Sequence, residues 1–153
     1  MKKDIETLLN KLKINYRLIE HVPVWKMEDA LDLALDCELL KSLVFKDEKN
    51  QTFFLLVCKA EERVNISALA KLVRTSRSKL NFASKEDLIA LKTKAGLVSP
   101  LDFSNKYSII ISEEVKSLGN VGIHAGSNIE TLILDVEDLV KCLVKQQRNL
   151  IWM

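Results

Sequence analysis

Three short stretches carry residues whose types and spacing can do chemistry. The first is Leu39-Leu40-Lys41-Ser42-Leu43-Val44-Phe45-Lys46, an apolar run with a cation inside it. In an extended strand side chains alternate between faces, so Leu39, Lys41, Leu43 and Phe45 share one side, and Leu40, Ser42, Val44 and Lys46 form a more polar one. A lysine in line with two leucines and a phenylalanine has two readings. Either its stem packs while its ammonium snorkels to water, or it is a functional cation at the floor of a pocket. The second stretch is Gly96-Leu97-Val98-Ser99-Pro100. Glycine allows close backbone approach and proline fixes the exit of the loop, so main-chain amides around Val98 and Ser99 can face a substrate carbonyl or oxyanion. An ordinary turn explains the same residues. The third is Ile123-His124-Ala125-Gly126-Ser127-Asn128, where His124, Gly126 and Asn128 bracket a tight turn between two apolar runs. They are either plain turn chemistry or convergent polar groups at the rim of a pocket.

Other classes of chemistry find no support. The chain lacks a P-loop, G-x-G-x-x-G, H-E-x-x-H and G-x-S-x-G. Cys37, Cys58 and Cys142 are widely spaced and the only histidines are His21 and His124. No metal site is therefore expected, and no cofactor is implied. Three unpaired thiols and a charged start, Met1-Lys2-Lys3-Asp4, point to a reducing, cytoplasmic setting without a secretion signal. No apolar run approaches a membrane span. Twenty-three basic and 21 acidic residues leave +2, so any nucleic-acid contact must be a local patch. Arg63, Lys71, Arg74, Arg77 and Lys79 form such a patch. Without interleaved aromatics they suit phosphates better than bases, and an ordinary solvated face fits them equally.

The elements that must position these residues read as follows. At 153 residues with 48% apolar content, a single domain with a real core is expected over 1–153. Ile5, Leu8, Leu9 and Leu12 recur at helical spacing. Ile19 to Trp25 is extended, with Pro23 excluding a helix interior. A short helix spans 27–35, and strands at 39–46 and 52–60 form a hairpin around Asp47-Glu48-Lys49-Asn50. Asn65 caps a helix carrying Ile66, Leu69, Ala70 and Val73, a short strand follows at 79–83, and Ser84-Lys85-Glu86-Asp87 opens a helix through Leu91 as a capping box. Strands at 107–112, 121–125 and 131–135 precede an amphipathic helix marked by Val136, Leu139, Val140, Leu143 and Val144. Helices alternate with hairpins, not with single strands. The expected class is α+β, a mixed sheet with surrounding helices.

Taken in order, "EHVPVWKMEDAL", "LLKSLVFKDEKNQTFFLLV", "RVNISALAKLV", "SKLNFASKEDL", "GLVSP" and "GIHAGSNIETLIL" resemble the YbaK/ProX family of aminoacyl-tRNA deacylases over nearly the whole chain. The resemblance implies a curved mixed β-sheet whose pocket holds the mischarged aminoacyl group on the terminal adenosine of tRNA. It implies that Lys41 holds the 3′-end and polarises the substrate, with Leu39, Leu43 and Phe45 as the dry wall beside it. Gly96 to Pro100 would position the ester carbonyl, and His124 and Asn128 match a turn typical of alanine-directed prolyl members. Departures occur at Ser42, at Leu101-Asp102-Phe103 and at Ala125, which takes the place of a proline. The implied activity is trans-editing of alanine on the proline acceptor by oriented water. A cysteine- or serine-directed deacylase, and a non-catalytic tRNA- or amino-acid-binding module, are the alternatives. The implied partners are the acceptor end of tRNA and a cognate synthetase that would help deliver it.

Overall fold

Two long apolar runs form the centre of the sheet. Strand β2 (Glu38–Asp47) and strand β3 (Thr52–Lys59) pair antiparallel in unbroken register from Leu40↔Lys59 to Asp47↔Thr52. The intervening turn is held by Asp47, whose carboxylate accepts from the Lys49 and Asn50 amides and the Asn50 side chain. The computed structural model describes residues 1–153 as a mixed eight-stranded sheet.

The chain opens with helix α1 (Lys3–Lys11) and strand β1 (Tyr16–Glu20), then helix α2 (Met27–Asp32) ahead of β2. After β3 come helix α3 (Ile66–Leu72), strand β4 (Leu80–Phe82) and helix α4 (Lys85–Ala90). Strands β5 (Ser108–Ile111), β6 (Asn120–Ile123) and β7 (Glu130–Asp135) lead to helix α5 (Val136–Lys145) and strand β8 (Leu150–Trp152). The sheet order is β1-β7-β6-β2-β3-β5-β8, with β4 attached to β2. The caps expected from the sequence form: Asn65 accepts from Ala68 N at 3.0 Å, and Ser84 and Asp87 make a reciprocal box. Strands β1 and β8 are additional to the expected set. Each is short and borders the sheet, and pairing to β7 and β5 holds them there more than their own alternation does.

The expected polar face of β2 is corrected. Leu40 and Val44 are buried in the larger core with Ile5, Leu9, Val98 and Leu139. The opposite face carries Phe45, which joins Leu56, Cys58, Leu69, Leu80 and Ile110 in a second core beneath α3. Cover on both sides removes the in-out alternation that sequence patterning relies on. Phe45 is fully enclosed and stacks on Phe82 with ring centroids 4.7 Å apart. Burying such a side chain stabilises the fold by roughly 1.5–3 kcal/mol.

β2 also changes neighbours along its length. On the edge away from β3, β6 pairs in parallel with Glu38 and Leu39, and β4 pairs antiparallel with Phe45, Lys46 and Asp47. Between these two partners a gap opens beside residues 40–44.

Candidate active site

Lys41, Ser42 and Leu43 lie at that gap and line a cavity of about 170 Å³. Its other walls come from three separate stretches: the α2 entrance (Val24, Trp25, Lys26, Met27 and Ala30), the loop residues Gly96 and Val98, and His124 just beyond β6. The sheet fixes Lys41 from one side through its register with Cys58. Its ammonium donates to the carbonyl of Glu62 at 2.6 Å, so the cation is held by one main-chain acceptor and carries no carboxylate partner within ion-pair distance. Two N–H positions remain for a substrate. The Glu62 carboxylate is engaged elsewhere, accepting from Ser112 Oγ at 2.9 Å. Cys58, directly across from Lys41, is buried, and desolvation pushes its thiol up to about 12 despite the nearby ammonium. It is no nucleophile at neutral pH.

Gly96 adopts φ +81°, and a Cβ placed there would sit 3.4 Å from the Trp25 carbonyl oxygen. Glycine suits the left-handed backbone here, and the loop lies in van der Waals reach of the α2 entrance. Val98, Ser99 and Pro100 are buried. The loop is clasped from behind by the end of α5 and the turn after it. Gln146 Nε2 donates to the Leu101 carbonyl at 2.8 Å, and the Arg148 guanidinium donates to the carbonyls of Phe103 and Ser104 and to Asn105 Oδ1.

His124 is half-buried in the cavity wall. Burial, reinforced by neighbouring His21, holds its pKa below the ordinary imidazole value, against a backbone hydrogen bond with Ser127. A neutral imidazole is the form it presents at physiological pH. His21 itself is locked, with Nδ1 donating to the Val22 carbonyl and Nε2 meeting Thr131 Oγ1, both at 2.8 Å. The strand-like stretch His21–Val24 is pinned to the turn by His21 N donating to the Ile129 carbonyl and Val24 N to that of Asn128.

Of the residues singled out from sequence, Lys41, Gly96, Val98 and His124 converge on one cavity. Ser99 and Pro100 lie behind it in the packed part of the loop, where Ser99 Oγ accepts from Leu101 N. Gly126 faces a neighbouring cavity with Lys2, Lys92 and Lys94. A Cβ there would collide with the Lys2 stem, 2.4 Å from Cγ. Asn128 contributes its main chain to the pinning of Val24 and does not line the cavity. Arg63, Lys71, Arg74, Arg77 and Lys79 are all exposed and free of ion pairs, on and beside α3. The dry wall is narrower than expected: Leu43 lines the cavity, Leu39 faces a different cleft and Phe45 belongs to the second core. Leu39 and Phe45 stand six residues apart, roughly 20 Å along a strand, too far to border one small cavity. Sequence reasoning missed the α2 entrance. Its signal is Trp25, 74% exposed after a proline in a segment barred from helix.

A family model described as an aminoacyl-tRNA editing domain matches residues 23–142. The chain is 30% identical to the prolyl-tRNA editing protein ProX of Acetoanaerobium sticklandii, over 97% of this chain and 93% of that one. It is 28% identical to the prolyl-tRNA synthetase associated domain-containing protein 1 of Danio rerio, over 97% of this chain and 84% of that one. Among solved structures, the hypothetical protein APE2540 superposes with a TM-score of 0.80 at 17% identity, covering 97% of both chains. A candidate trans-editing enzyme for prolyl tRNA synthetase superposes with a TM-score of 0.72 at 17% identity, covering 95% of this chain and 91% of that one. These structural likenesses bear on the fold, which is the curved mixed sheet expected.

Proposed function

The chain belongs to the aminoacyl-tRNA editing domain family, and from that premise we propose that it hydrolyses the ester of mischarged tRNA, with alanine on the proline acceptor as its substrate. The observation that carries this reading is the convergence of Lys41, Gly96, Val98 and His124 on one small cavity.

An aminoacyl ester is already activated, so no protein nucleophile is required. Water adds to the ester carbonyl carbon, and the tetrahedral intermediate expels the ribose oxygen, which leaves protonated as the terminal hydroxyl. The free amino acid is the other product. The site has to orient the ester and water and stabilise the developing oxyanion. Lys41 supplies a fixed ammonium for the 3′-end and the carbonyl oxygen. The main chain at Gly96 and Val98 faces the same carbonyl, and neutral His124 can accept a proton from water. Ala30, Leu43 and Val98 set the size limit. A pocket too small for proline but open to alanine supplies the second sieve that a synthetase needs, because one methylene gives only ~10–200-fold discrimination. Arg63, Lys71, Arg74, Arg77 and Lys79 offer a phosphate track for the acceptor stem, and a cognate synthetase would deliver the tRNA.

The test is a deacylation panel of proline-acceptor tRNA charged with alanine, cysteine or serine, run with wild type and Lys41→Ala. Wild type should clear the alanyl form fastest, and the variant should lose about 100- to 1,000-fold in rate while remaining folded at the assay temperature. Preferential clearance of cysteine or serine reassigns the substrate. Unchanged survival of all three overturns the deacylase reading in favour of a binding module.

A further inference from the structure

We infer that the main chain of Ser42 is the docking edge for the aminoacyl group, which binds β2 as a one-residue strand. This rests on the editing reading above and names how that substrate is held.

Three hydrogen bonds fix which way each peptide of β2 points. The Leu39 carbonyl accepts from Ala60 N at 2.8 Å, on the β3 side. The Val44 carbonyl accepts from Ala83 N at 2.9 Å, on the opposite side where β4 arrives. Across from Ser42, the Val57 carbonyl accepts from Ser112 N at 3.0 Å and so points to β5, away from β2. Ser42 and Val57 are thus a non-hydrogen-bonded pair, and the Ser42 N–H and C=O both project into the gap between β6 and β4. β6 pairs only as far as Leu39, and β4 begins to pair at Phe45. Neither reaches Ser42, and no turn or loop bond engages it. An unpaired peptide in the middle of a central strand is costly unless something completes it.

The cavity at this gap is the one that holds Lys41. An aminoacyl ester carries, on one carbon, an ammonium donor and a carbonyl acceptor. That is the pair of groups a partner strand residue would present to Ser42. The Ser42 C=O accepts from the α-ammonium and the Ser42 N–H donates to the ester carbonyl oxygen. That donor strengthens its bond as the oxyanion forms, and Lys41, one residue earlier, supplies the charge. Recognition through the main chain places no demand on the side chain at position 42, where this sequence departs from the family pattern.

The experiment replaces the Lys41–Ser42 amide by an ester, with an α-hydroxy acid incorporated at position 42. The same replacement at Phe45 is the control, because Phe45 N–H points into the β3 ladder. The position-42 ester should lower kcat/KM for alanyl-tRNA by about 100-fold with a melting temperature close to that of wild type. The position-45 ester should do the reverse, lowering the melting temperature and sparing kcat/KM. A position-42 ester that cleaves within threefold of wild type overturns the inference. One that unfolds does so too, since its N–H would then have a protein partner. If the wild-type protein cleaves no mischarged tRNA, the editing reading itself has failed.

Discussion

Replacing Arg148 by methionine tests whether the Gly96–Pro100 loop is held from behind. Arg148 is 7% exposed, and its guanidinium reaches two main-chain carbonyls, of Phe103 and Ser104, and the side chain of Asn105. These residues directly follow the Gly96–Pro100 loop. Methionine keeps the apolar stem, so packing changes little. Asn105 is exposed and can turn to water, which leaves two orphaned carbonyls. At about 1–3 kcal/mol for each, less the desolvation that the guanidinium no longer suffers, the net cost is about 3 kcal/mol. For a chain of this size that lowers Tm by roughly 6–12 °C. Thermal unfolding followed by circular dichroism reads this directly. Single-turnover deacylation at a temperature where the variant is folded reads the second consequence. A loop displaced by even about 1 Å costs up to ~100-fold in rate, so the folded variant should be slower than wild type. A variant that melts within about 2 °C of wild type refutes the energetic reasoning. Full activity in the folded variant refutes the positioning role.

Charge leads to two more expected outcomes. Burial holds the folded-state pKa of His124 below its ordinary value of 6.5, whereas the unfolded chain takes up a proton at about 6.5. The unfolded state therefore binds more protons below that pH, and stability present above it is lost on acidification. His124→Gln should flatten the decline in Tm as pH falls from 6.5, and an unchanged slope contradicts the assignment. Reversing charge at Arg74 and Arg77 together should weaken tRNA binding and reduce the salt dependence of log affinity by about two, one for each phosphate no longer neutralised. An unaltered salt slope places the phosphate track elsewhere.

The legibility of the elements followed local physics. Helices α3 and α4 could be read because Asn65 and Ser84 are caps whose partners lie three residues away. The β2–β3 hairpin could be read because two apolar runs flank a turn that Asp47 closes on itself. Strands β1 and β8 escaped because their formation depends on edges supplied by distant residues.

By itself the sequence marked Lys41, Gly96, Val98 and His124 as candidates by type and spacing, and it indicated the α+β class. Only the tertiary structure decided which of them meet. It set Lys41 against Glu62, drew Gly96 near Trp25 and left Ser99, Pro100 and Asn128 out of the cavity lining. It also decided that β2 loses one partner before it gains the next, which leaves the Ser42 peptide free. Alternation and capping act over a few residues, and chain order preserves them. Strand neighbours are chosen by burial and register across the whole chain, and no local pattern encodes a gap between two of them.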